Sequence, residues 1–73
     1  MRPFDLDEYL TNPSRKLVTK DGRMVKIHCT NFVGLFPIVA EIEGINLSMT
    51  FNKNGKYVSD AESSYDFFFA EEE

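Results

Sequence analysis

Apolar and polar side chains alternate with a period of two along most of this chain. In residues 23–29, Val25, Ile27 and Cys29 fall on one side and Lys26 and His28 on the other, with Thr30 continuing the polar side. Residues 36–42 repeat the pattern with Phe36, Ile38, Ala40 and Ile42, and residues 45–51 with Ile45, Leu47, Met49 and Phe51. This is the signature of half-buried antiparallel strands. Residues 16–20 form a further β-prone run, separated from residue 23 by Asp21-Gly22, a strong hairpin signal. A two-residue loop there pairs Lys20 with Arg23 and Val18 with Val25. Glu43-Gly44 and Asn54-Gly55 mark two more reversals, the second leading into Lys56, Tyr57 and Val58, and Asn31 to Leu35 reads as a turn or bulge.

Only the beginning of the chain departs from this period. Asp5 is placed to cap a helix and Glu8 stands three positions later, as in a capping box. Phe4 before the cap and Tyr9 after it form a hydrophobic staple, and Asn12-Pro13 ends the helix after about two turns. So short a helix does not stand alone. Residues 1–13 are therefore an N-terminal arm with a capping helix, residues 14–70 a β-meander or barrel, and residues 71–73 a fraying acidic tail. The fold class expected is mainly β: one small domain of five to six strands in a twisted antiparallel meander or partly closed barrel, with one short N-terminal helix.

Charge changes the picture only once it is located. The net −4 of the 73 residues divides into eight basic and seven acidic side chains over residues 1–60, and five acidic with none basic over residues 61–73. The acidity belongs to the end of the chain. Cys29 is the single cysteine, so no intrachain disulfide or cysteine-based metal cluster is available. The start of the chain carries no apolar export segment and no run is long enough to span a bilayer, which makes the cytoplasm the expected setting.

The order of short motifs adds a resemblance. Pro3-Phe4-Asp5-Leu6 near the start, Val18-Thr19-Lys20-Asp21-Gly22-Arg23-Met24-Val25-Lys26-Ile27, Phe36-Pro37-Ile38-Val39-Ala40, Asn54-Gly55-Lys56-Tyr57 and a closing serine before Asp66-Phe67 follow one another. For the closing motif, the spacing suits Ser63. In this order they resemble a group of very small proteins from Bacteroides-type bacteria and their phages. Leu10-Thr11-Asn12-Pro13 and the aromatic run 67–69 depart from that group's pattern. The resemblance implies the architecture and a bacterial or phage source, and it brings no activity and no catalytic residue.

Candidate chemistry is sparse. His28 and Cys29 are neighbours on a strand and point to opposite faces, so they make no nucleophile–base pair; Cys29 reads as a small core residue and His28 as a surface or rim residue. Asp60, Glu62 and Asp66 form a loose acidic group that reads as a solvated turn. No catalytic, metal or cofactor set is assigned, and the chain reads as non-enzymatic. Two binding surfaces remain. Phe67, Phe68 and Phe69 cannot all point inward on one strand; with Tyr65 they form a candidate protein interface for an unidentified partner or a weak homodimer, unless Phe68 packs beneath Leu6 and Tyr9 of the helix. Arg15, Lys16, Lys20, Arg23 and Lys26 gather on the first hairpin as candidate contacts to single-stranded nucleic acid, with Phe32 or Phe36 for stacking. The protein interface is the expected function, nucleic acid the alternative, and membrane contact is not expected.

Overall fold

Asp5 ends an extended arm and starts the helix. Its backbone is extended (φ −139°, ψ 125°), and its carboxylate accepts a hydrogen bond from the Glu8 N–H, satisfying one of the amides a helix leaves without partner. A computed structural model describes residues 2–70; the expected fraying of residues 71–73 lies outside the described residues. The elements are β1 (Arg2–Pro3), α1 (Leu6–Thr11), β2 (Leu17–Thr19), β3 (Val25–Cys29), β4 (Ile38–Ile42), β5 (Ser48–Phe51) and β6 (Phe67–Phe69). The described residues are mainly β, with one short N-terminal helix and six strands.

The strands form two antiparallel three-stranded sheets. β3, β4 and β5 are a simple meander; the other sheet has the order β1-β6-β2, so the C-terminal strand is inserted between the two N-terminal ones. A single isolated β-bridge among the described residues, Val18 to Met24, joins the backbones of the two sheets, and no pairing joins β5 to β1. The structure is therefore open and not the small closed barrel that the strand count invites. A barrel requires a continuous ladder; β2 is three residues long, and its edge away from β6 meets the β3 side only at that bridge.

The first hairpin shows why. Thr19 N–H donates to the Arg23 carbonyl and Gly22 N–H to the Thr19 carbonyl, so the loop is Lys20-Asp21-Gly22, three residues long, with Gly22 at φ +89°. This is a turn closed by a left-handed residue, which favours glycine. The register is one residue away from a two-residue Asp-Gly turn, and the shift exchanges faces. Val18 pairs with Met24 on the outer face, while Leu17, Thr19 and Val25 are buried.

Other elements follow their alternation with local exceptions. Ile38, Ala40 and Ile42 of β4 and Met49 and Phe51 of β5 are buried. β5 begins at Ser48, and Leu47 lies in the preceding bend, exposed. In β3 the register slips between Ile27 and Cys29. This bulge places Cys29 opposite Val39, on the outer face, so the cysteine is half-buried and leaves the core it was expected to join. Residues 56–58 form no strand. Instead, Asn52 accepts from the Asn54 and Lys56 amides and holds a compact turn.

The core is an aromatic cluster. Phe4 lies 4.7 Å from Phe67 and 5.2 Å from Phe69 between ring centroids, and Phe51 lies 4.9 Å from Phe67. Tyr9 meets Phe4 at 5.8 Å, completing the staple. Gly55 sits directly against this cluster. Its φ is +78°, and a Cβ there would come within 2.9 Å of the Phe67 carbonyl oxygen and 3.0 Å of Phe4 Cβ. At Gly44, also left-handed, the same position is open. Urea denaturation is expected to show Gly55→Ala costing about 2–4 kcal/mol, from backbone strain plus overpacking, against about 1 kcal/mol for Gly44→Ala. Equal losses would mean that Gly55 is not wedged against the core.

Candidate functional site

The strand alternation separates the three consecutive phenylalanines. Phe67 and Phe69 face inward and are fully buried, so neither presents a surface to a partner; Phe68 faces outward and is half-buried beside Pro3 and Val18, its register neighbours. Phe68 is thus on the sheet face opposite α1 and does not pack beneath Leu6 and Tyr9, which rest against the core. Tyr65 is half-buried and stacks edge-on with Tyr57 at 5.3 Å. Of the expected interface, only Phe68 and part of Tyr65 remain at the surface.

The basic residues do not form one surface. Arg15 lies with its guanidinium 4.1 Å from the Phe69 ring centroid and donates to Glu8; Arg2 also donates to Glu8 and lies 5.2 Å from the same ring. Glu8 was expected to return to the helix cap, and it serves instead as the shared anion between two arginines that cover Phe69. Arg23 pairs with Asp21 and Lys20 with Glu62, each at 3.4 Å. Lys26 stands opposite Glu41 on β4. Lys16 pairs its carbonyl with the Ala70 N–H and shares the outer face with Val18. Phe32 and Phe36 lie in the β3–β4 connection, at the far end of β3 from this hairpin.

The acidic group also divides. Asp66 is buried and holds the long connection before β6: it accepts from the Tyr57 N–H at 3.0 Å, the Ser63 N–H at 3.1 Å and the Lys56 ammonium at 3.4 Å. Asp60 and Glu62 are exposed. Asp66 is therefore a structural anchor and not part of a solvated turn. The Ser63-to-Asp66 spacing was the available signal for this. Among the described residues no group of three or more His, Cys, Asp or Glu side chains is placed to hold a metal. His28 Nε2 lies 2.9 Å from Glu41 Oε1 on the outer face, and the Cys29 thiol donates to the Asn31 side chain.

Three surface features remain. A cleft of about 670 Å³ opens where the two sheets diverge, with Tyr9, Pro13 and Arg15 on one wall and Ile27 and Ile45 opposite. Its carboxylates are engaged, Glu43 by the Met24 N–H and Glu41 by His28. A smaller cleft of about 260 Å³ lies over Phe68. The third feature is a projection in the segment expected to be a turn or bulge. In the β3–β4 loop, Phe32, Val33 and Leu35 are 53%, 90% and 87% exposed. Three large apolar residues in a glycine-containing turn were the signal for it.

The chain matches no family model, no curated protein and no solved structure. The bacterial or phage source and the cytoplasmic setting expected from sequence gain no support from these comparisons. No helix among the described residues is long and apolar enough to cross a membrane.

Hydrogen bonds from Arg2 and then Arg15 hold the Glu8 carboxyl below its usual range. A carboxyl with a depressed folded-state pKa contributes stability above its unfolded value, and the contribution is lost as pH falls through the folded value. Thermal melting should therefore show the parent chain more stable than Glu8→Gln at neutral pH. The gap should close as the solution is acidified past the usual glutamate range. A gap independent of pH would remove the ionised Glu8 from the account.

Proposed function

We propose that this protein is a non-enzymatic interaction domain that docks on a protein partner through the apolar tip between β3 and β4. The observation that carries this reading is the near-complete exposure of Val33 and Leu35. Scattered single apolar residues are ordinary on protein surfaces, but three within four positions of one loop form a projecting patch.

The tip is also preformed. Phe32 N–H donates to the Pro37 carbonyl at 2.9 Å, closing the loop at its base. Phe36 and Pro37 are half-buried below it. A loop already held in shape loses little conformational freedom on docking, so more of its apolar contact appears as affinity. Each large side chain that passes from water into a partner's pocket contributes roughly 1.5–3 kcal/mol. The nucleic-acid alternative has less support, because Arg15, Lys20 and Arg23 are each engaged by a carboxylate within the chain.

A photo-crosslinking residue at Leu35 tests the reading. The expected result is one dominant protein adduct in a cell extract, abolished by excess parent protein and not competed by the folded Val33→Asp/Leu35→Asp double variant. Competition by the double variant as effective as by the parent would refute docking through the tip.

A further inference from the structure

We propose that the outer face of the β1-β6-β2 sheet is a second binding site, which takes an extended acidic peptide segment carrying an apolar side chain. The floor is a row set by register: Pro3, Phe68 and Val18 lie side by side on adjacent strands, all on the face away from the core. The cleft over Phe68 holds about 260 Å³, and Lys20 and Lys56 line it. Its size suits one bulky side chain set against Phe68 and Pro3.

The charges around this row favour an anionic occupant. Lys20 and Lys56 line the cleft itself, and Lys16 lies beyond it on the same face of β2. Lys16 makes no ion pair among the described residues. Lys20 meets Glu62 at 3.4 Å with both side chains largely exposed, a contact worth about 0–1 kcal/mol that an incoming carboxylate can replace. Lys56 reaches Asp66 at 3.4 Å, but Asp66 already accepts two shorter bonds from the Tyr57 and Ser63 amides. Its charge is stabilised without the lysine, which is free to turn toward a ligand. Of the carboxylates at the cleft, Asp66 is buried and satisfied, so Glu62 is the accessible one beside the two ammonium groups of Lys20 and Lys56.

A peptide fits this arrangement better than a nucleic acid does. Two or three discrete carboxylates beside one apolar group match separate lysines around a single aromatic wall. A polyphosphate would have to run a continuous line of charge past Glu62, and it would find one half-buried ring where stacking on single strands uses exposed aromatic faces. The site is separate from the apolar tip. Val33 and Leu35 lie outside the cleft, so a failure here leaves the reading of the tip standing.

Fluorescence polarisation with a short labelled peptide of glutamates around one central phenylalanine tests the proposal at physiological salt. Controls are the same peptide with glutamine for glutamate and an oligothymidylate of matching length. The acidic peptide should bind and the glutamine peptide should not. Lys20→Gln/Lys56→Gln should weaken binding at least about tenfold, as expected for loss of charge-assisted hydrogen bonds. Lys20→Gln alone, which touches no buried group, should weaken it by a smaller factor, and circular dichroism should show both variants folded. Absence of binding, equal binding of the glutamine peptide, tighter binding of the oligonucleotide, or indifference to both lysine changes would each overturn the proposal.

Discussion

The insertion of β6 between β1 and β2 is the constraint on which the rest of this structure depends. It brings the last strand among the described residues against the first and makes it the middle of one sheet. Phe67 and Phe69 thereby reach the inner face, where they meet Phe4 and Phe51. A domain of this size has little apolar surface to bury, so these few aromatic side chains carry a large share of what opposes chain entropy. Closing the chain end to end also delays that return until distant segments have met.

The surrounding devices serve that insertion. Glu8 draws Arg2 and Arg15 across the Phe69 ring and so ties β1, α1 and the approach to β2 over the same strand. Asp66 gathers the amides of Tyr57 and Ser63 immediately before β6, fixing where the strand begins. Gly55 lets the preceding turn approach Phe4 and Phe67 closely enough for the Phe67 N–H to donate to the Gly55 carbonyl. β6 takes one edge of β2, and the other edge meets the β3 side only at the Val18–Met24 bridge. The open cleft between the sheets follows from this.

Much of the fold was legible because it is written in local periodicity. The capped helix at Asp5, the alternation in β4 and the burial of Met49 and Phe51 need only nearest neighbours in sequence. The hairpin register was not legible, since Asp21-Gly22 suits a two-residue turn locally and the three-residue turn wins by burying Leu17 and Thr19 against distant strands. The bulge that moves Cys29 off the core was hidden for a similar reason, as nothing in residues 23–29 breaks the alternation. The interface expected at Phe67, Phe68 and Phe69 rested on counting faces, which correctly left one ring outside. It could not reveal that both neighbours would be covered by Phe4 and two arginines. The exposed tip was not legible as a patch, because residues 31–35 read only as a turn or bulge and Phe32 alone drew a role, in stacking.

The resulting surface has two separate apolar features, a bare one at Val33 and Leu35 and a lysine-flanked one at Phe68. The first projects from the β3-β4-β5 sheet, and the second lies on the β1-β6-β2 sheet, which exists through the insertion of β6. Native-state amide exchange measured by NMR tests it most directly. If β6 is the central strand, the Phe67 and Ala70 amides, which donate to Gly55 and Lys16, will exchange as slowly as the β4 amides and only through global unfolding, despite their place near the end of the chain. Exchange of those two amides at the rate of a fraying terminus, with β4 still protected, would contradict the account.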